Sequence, residues 1–92
     1  MKKAVKIVII GTVQGVFFRQ FIKDSADKLN IKGFARNLED GSVEVVIEGN
    51  MDEINKFIEV CKQGPKFASI KEVKVEEKKF AGEFKEFKVL RM

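Results

Sequence analysis

The sequence predicts an α+β fold in which two helices cover one face of an antiparallel sheet, in the order β-α-β-β-α-β with a short extra C-terminal edge strand. Two segments carry apolar residues at helical spacing, and β-branched segments with strand-like patterns surround them. Glycine, proline and asparagine residues punctuate the ends of these segments. With 92 residues, the chain is expected to form a single domain over residues 1–92.

The N-terminal third of the chain is predicted to contain a strand and a helix. A β-branched run at residues 4–10, interrupted only by Lys6, is typical of a strand inside a sheet. The helix follows a glycine-containing stretch at residues 11–19, here called the 11–19 segment, and ends near Asn30, a residue type that tolerates left-handed backbone. The apolar stripe of this helix comprises Phe18, Phe21, Ile22, Ser25, Ala26 and Leu29.

The middle of the chain is predicted to form a hairpin. One strand covers residues 31–37, and the next covers residues 42–48. Between them, Gly41 suits the positive φ of a short turn. In the second of these strands, Val43, Val45 and Ile47 are expected on one face and Glu44, Val46 and Glu48 on the other.

The next segments are predicted to form a helix and a fourth strand. Asn50 and Glu53 have the spacing of a capping box that opens the helix, and Gly64 lies where the helix is expected to stop. The fourth strand is expected to reach Lys78. Because the apolar positions change parity along it, we predict a β-bulge near Lys71.

A final short edge strand is predicted over residues 84–89. The complete order is that of a ferredoxin-like two-layer sandwich with a split βαβ unit. In such a unit the first two strands run in the same direction, so their carboxyl ends lie at one edge of the sheet. The 11–19 segment and Asn37 are therefore predicted to converge.

The 11–19 segment is predicted to bind a phosphoryl group. Its glycines allow backbone amides to approach an anion, and the helix that follows adds the positive end of its dipole. The guanidinium of Arg19 can make two parallel hydrogen bonds to phosphate oxygens. The predicted phosphate-binding residues are Gly11, Thr12, Val13, Gln14, Gly15, Val16, Phe17, Phe18 and Arg19.

Asn37 is predicted to orient a water molecule, because its amide both donates and accepts hydrogen bonds and does not ionise. The sequence contains no histidine, which excludes an imidazole base and a histidine metal site, and we expect neither a metal nor a cofactor. An acyl phosphate suits such a site, because its carboxylate leaving group has a conjugate acid of pKa about 4 and needs no proton donor. Arg19 and Asn37 are the predicted catalytic residues.

Two stretches, residues 9–19 and residues 33–37, resemble the two signature motifs of the acylphosphatases. The resemblance extends along the chain to Gly41, Val43, Gly49, Gly64, Pro65 and residues 87–89. It implies a small, cofactor-independent enzyme that hydrolyses the carboxyl-phosphate bond of acyl phosphates. In that family pattern, Arg19 is the phosphate-binding arginine and Asn37 the water-orienting asparagine.

Other side chains are predicted to be structural. Phe17, Phe18 and Phe21 are expected mainly in the core, with Phe17 off the helical stripe and nearest to the site. Cys61 lies on the apolar stripe of the second helix and is expected to be a buried hydrophobe, not a nucleophile. For Arg36, the sequence leaves open a role in shaping the site electrostatically or a place on the surface.

Two non-catalytic alternatives remain open at this point. The net charge is +4, and residues 32–35 imitate the start of an RNA-recognition signature, but Arg36 replaces the expected aromatic residue. The other alternative is a regulatory domain that binds an anion without hydrolysing it. We expect a small-molecule acyl phosphate as substrate, inorganic phosphate or sulfate as a ligand of the loop, no nucleic acid partner and a monomer.

The longest apolar run, at residues 7–10, is far too short for a membrane span, and the start at Met1, Lys2 and Lys3 is not followed by a small-residue cleavage site. We therefore expect a cytoplasmic protein.

Overall fold

The computed structural model describes residues 1–15 and 17–90. Its elements are β1 (Lys2–Thr12), α1 (Phe18–Lys28), β2 (Lys32–Asn37), β3 (Val43–Asn50), α2 (Met51–Gln63), β4 (Ser69–Lys78) and β5 (Phe87–Val89). This order confirms the predicted ferredoxin-like sandwich with one additional strand.

The five strands form one sheet in the order β4-β1-β3-β2-β5. β1 pairs antiparallel with β3 and β4, and β2 pairs antiparallel with β3. The four main strands are antiparallel to their neighbours, as predicted, and the extra edge strand β5 is parallel to β2. The chain crosses the sheet between β4 and β5 and enters β5 from the end at which β2 begins. The buried carboxylate of Glu48 accepts hydrogen bonds from the backbone N–H groups of Ala81, Gly82 and Phe84 along this crossing.

Both helices pack on the same face of the sheet. The central strands direct alternate apolar side chains toward the helices, which bury their own stripes against them. The buried core comprises Val5, Ile7, Ile9, Val13, Phe18, Ile22, Ala26, Ile31, Ala35, Val43, Val45, Ile47, Ile54, Phe57, Cys61 and Phe87. Burying each of the larger side chains contributes about 1.5–3 kcal/mol to folding. This core fixes α1 over β2 and β5, with its first turn at the end of the sheet where β1 stops.

The predicted bulge in β4 is confirmed at Lys71. Ile10 pairs with Glu72 and Gly11 pairs with Ile70, so that Lys71 is the extra residue. At this bulge the backbone of β4 comes so close that a Cβ on Gly11 would lie 2.0 Å from the carbonyl oxygen of Ser69. Gly11 therefore has a packing role inside β1. This strand extends two residues beyond its predicted end at residue 10.

α2 begins where it was predicted to begin, but the predicted capping box does not form. Asn50 is the N-cap residue, but its side chain makes no capping hydrogen bond. Asp52 and Glu53 instead place negative charge in the first turn, where the helix dipole favours it. The predicted strand over residues 84–89 is shorter in the structure, because Phe84 belongs to the crossing and packs its ring against Phe34.

Cys61 lies in the core, as predicted, and burial raises the pKa of its thiol to about 12. At neutral pH it is therefore a protonated, poor nucleophile. Within the part of the chain that the structure describes, neither helix is long and apolar enough to span a membrane.

Candidate active site

A cleft of about 580 Å³ opens between the end of β1, the first turn of α1 and β5. Its lining residues are Val13, Gly15, Phe17, Phe18, Arg19, Gln20 and Val89. Gly15 has φ 78°, so the loop turns through a conformation that favours glycine. Val16, one of the predicted phosphate-binding residues, lies outside the described residues. We refer to this feature as the cleft.

The N-terminus of α1 faces this cleft with the features of an anion-binding site. The N-cap residue, Phe17, provides no side-chain hydrogen bond, and the first turn contains no acidic residue. The first amides of a helix have no acceptor within the helix, and the helix dipole makes that end positive. Negative charge in the cleft would therefore be stabilised by both the amides and the dipole.

Arg19 adds a full positive charge at this position. Its side chain is half-buried, and its Nη1 donates a hydrogen bond to the carbonyl oxygen of Leu90 at 3.0 Å. The N–H of Leu90 in turn donates to the carbonyl oxygen of Ala35 at 2.9 Å. These contacts connect the guanidinium to β2, two residues before Asn37, and leave most of its five N–H groups for a ligand.

Asn37 is the last residue of β2 and pairs with Val43, which on its other side pairs with Ile9 of β1. By strand alternation it shares the helix-covered face with Ala35. Its Oδ1 atom is buried and accepts no hydrogen bond from the described residues. Such an oxygen costs about 1–3 kcal/mol when it has no partner, so a water molecule or a ligand group is its expected donor.

Gln14 connects the 11–19 segment to the turn that follows Asn37. Its Nε2 donates to the carbonyl oxygens of Leu38 and Ser42, each at 3.0 Å, in the turn that directly follows Asn37. Gln14 was predicted to bind phosphate, and its contact with this turn was not predicted. The available signal was the single amide side chain among the glycine, valine and phenylalanine residues at positions 13–18. The structure thus brings the 11–19 segment and Asn37 together, as the topology predicted.

The three phenylalanines differ in their positions. Phe18 is 1% exposed and confirms the prediction of a core residue, and Phe21 packs against it with ring centroids 6.2 Å apart. The core prediction is wrong for Phe17, which is 88% exposed. Phe17 is the N-cap residue of α1, and its left-handed backbone, with φ 58° and ψ 26°, leaves the ring outside the core.

Arg36 lies on the face of the sheet opposite Asn37, because neighbouring residues of a strand alternate. Its Nε donates to Oε1 of Glu44 at 2.7 Å, and Lys6 lies 3.6 Å from the other oxygen of the same carboxylate. Arg36 therefore belongs to an ion-pair network on the open face of the sheet.

A ferredoxin-like sandwich with an arginine and a buried amide near a helix N-terminus defines a class of small α+β proteins whose site suits an anionic ligand. The acylphosphatase family model matches residues 5–89. The chain belongs to the acylphosphatase family. It is accordingly an enzyme that hydrolyses acyl phosphates, and its substrate is a small molecule.

Individual relatives agree with this assignment. An acylphosphatase of Syntrophus aciditrophicus is 41% identical over 90 residues, which cover 98% of this chain and 94% of the relative. One of Pyrobaculum calidifontis is 45% identical over 85 residues, covering 91% and 77%. The crystal structure of acylphosphatase from Bacillus subtilis has a TM-score of 0.93 at 32% identity, covering 99% of this chain and 100% of that one. The family and the fold therefore favour an enzyme over the RNA-binding domain and the regulatory anion-binding domain.

Replacing Gln14 with glutamate tests its contact with the β2–β3 turn. The change keeps the size of the side chain but replaces the amide donor by a carboxylate, which the two carbonyl oxygens repel. We expect kcat for benzoyl phosphate to fall roughly 10-fold and the free energy of unfolding to fall by about 1 kcal/mol, because loss of one hydrogen-bonded contact has that size. Steady-state kinetics and urea unfolding measure both quantities. Gln14→Ala is the neutral control, and a wild-type kcat in both variants would contradict the positioning role.

Proposed function

We propose that the enzyme cleaves the carboxyl-phosphate bond by direct attack of water on phosphorus. The phosphoryl group lies in the cleft beside Arg19, and Asn37 orients the attacking water. The observation that carries this proposal is the buried Oδ1 of Asn37, which accepts no hydrogen bond from the described residues and lies at the end of β2, near the contacts of Gln14 and Arg19. A hydrogen-bond acceptor in that position suits a water molecule better than it suits an anion.

Phosphate binding is proposed to rest on backbone amides and one side chain. Val13 and Phe18 are each 1% exposed, so they offer amides and not side chains, as does Gly15. Gly11 and Thr12 lie within β1, paired with Ile70 and Ser69 of β4, and are proposed to act by fixing where the loop begins. Arg19 contributes the charge.

The bond changes in this reaction balance without an external acid. The water oxygen forms a bond to phosphorus, the bond from phosphorus to the acyl oxygen breaks, and its electron pair leaves with the carboxylate. One proton of the water passes to a phosphate oxygen. Phosphoryl transfer depends mainly on positioning and on charge stabilisation, which the cleft and Arg19 supply without a metal or a cofactor.

Hydrolysis of benzoyl phosphate in ¹⁸O-labelled water tests the site of attack. We expect the label in inorganic phosphate and none in benzoate, because water attacks phosphorus and the benzoyl oxygens stay with the acid. Mass spectrometry of both products measures the label, and an enzyme-free reaction in the same buffer gives the background. Label in benzoate would show attack at the carbonyl carbon, and a phosphorylated chain after acid quenching would contradict direct attack.

The oligomeric state and the cellular location of the enzyme are proposed as well. We propose that the enzyme acts as a monomer in the cytoplasm. Inorganic phosphate, the product, and its analogue sulfate are proposed to occupy the same cleft as competitive inhibitors.

A further inference from the structure

Phe17 is the most exposed phenylalanine among the described residues, ahead of Phe67 at 76%. It is 88% exposed and lies at the cleft, beside Gly15 and Arg19. A phenylalanine ring normally gains free energy by leaving water, so a ring held outside the core carries a cost that some other contact must offset.

The backbone of Phe17 carries a second cost. Its φ of 58° lies in the left-handed region, which is rare for residues with bulky side chains. The other non-glycine residue with positive φ among the described ones is Asn30, whose side chain tolerates that conformation. At Phe17 the carbonyl oxygen accepts a hydrogen bond from the N–H of Phe21 at 3.0 Å, so the same backbone geometry both opens α1 and leaves the ring at the cleft. Strained residues of this kind are concentrated at ligand sites.

The lining of the cleft is chemically mixed. Arg19 and Gln20 contribute polar groups, whereas Phe17 and Val89 contribute apolar surface. An acyl phosphate has the same two parts, a charged phosphoryl group and an acyl group. With the phosphoryl group beside Arg19, the apolar side chains are the partners left for the acyl group.

We propose that the Phe17 ring packs against the acyl group of the substrate and selects aromatic or bulky apolar acyl phosphates over small ones. This inference rests on the proposed placement of the phosphoryl group beside Arg19. Phe17 is then a specificity-determining residue, whose ring contacts the part of the substrate that does not react.

The test is the ratio of kcat/KM for benzoyl phosphate to that for acetyl phosphate. Both substrates carry the same phosphoryl group, so the ratio cancels any change that a substitution makes in phosphate binding. In Phe17→Gly, which removes the ring and accepts positive φ, the ratio is expected to fall roughly 3- to 10-fold, the size of one aromatic contact. The change is expected mainly as a rise in KM for benzoyl phosphate. Phe17→Asn, a second ringless variant that tolerates this backbone, should show the same fall, and Phe17→Tyr should keep the wild-type ratio.

Phe80 provides the matched control. It is another exposed phenylalanine, 40% exposed, two residues beyond Lys78, which pairs with Ala4 at the end of β1 away from the cleft. Phe80→Ala should leave the ratio and both activities unchanged. An unchanged ratio in Phe17→Gly and Phe17→Asn, or an equal fall in Phe80→Ala, would overturn the acyl contact while the proposed reaction stands. A wild-type enzyme that hydrolyses neither substrate would overturn the proposed function itself.

Discussion

Replacing Arg19 with glutamine is expected to lower kcat/KM for benzoyl phosphate by roughly 10³-fold or more, as in other phosphoryl-transfer sites that lose a charged arginine. Glutamine removes the positive charge and the paired N–H groups that can hold two phosphate oxygens. Binding of inorganic phosphate should weaken as well, because the same group holds the ground state. Steady-state kinetics and the inhibition constant of phosphate measure the two effects.

The stability of this variant separates a binding role from a structural one. A positive charge in the first turn of α1 opposes the helix dipole unless an anion is bound. In phosphate-free buffer, Arg19→Gln should therefore unfold at about the wild-type temperature or above it, despite the lost hydrogen bond to Leu90. Arg19→Lys keeps the positive charge but loses the paired N–H groups of the guanidinium. Its affinity for phosphate should lie between those of the wild-type enzyme and Arg19→Gln. Wild-type phosphate affinity in Arg19→Gln would refute the assignment.

Replacing Asn37 with alanine is expected to lower kcat by roughly 10²-fold or more, the effect of removing one catalytic hydrogen-bonding group. Phosphate binding should persist, because Asn37 is proposed to hold the water and not the anion. The free energy of unfolding should change by less than about 1 kcal/mol, since Oδ1 accepts no hydrogen bond from the described residues. Kinetics, phosphate inhibition and chemical unfolding provide the three measurements.

The isosteric change Asn37→Asp is the control for shape. It preserves the size of the side chain but places a negative charge near the bound phosphoryl group, so it should weaken phosphate binding, unlike alanine. Normal turnover in Asn37→Ala would show that its assigned role is wrong. Equal losses of phosphate affinity in Arg19→Gln and Asn37→Ala would instead indicate that both residues hold the anion.

Much of this protein is determined by local sequence patterns. The spacing of apolar residues predicted the helices and the central strands because it follows the geometry of each element, and the parity change near Lys71 predicted a bulge for the same reason. The meeting of the 11–19 segment with Asn37 followed from the direction of strands in a split βαβ unit.

Only the tertiary structure decided the contacts between distant residues. Arg19 and its carbonyl partner on Leu90 are 71 positions apart, and Gln14 lies 24 and 28 positions from Leu38 and Ser42. The spacing of apolar residues does not predict such pairs, because it reflects the geometry of a single helix or strand and not the residues that lie across the cleft from it. The spacing of apolar residues also did not predict the parallel pairing of β5, which depends on where the chain crosses the sheet. Nor did it predict the outward ring of Phe17, which depends on a single left-handed residue.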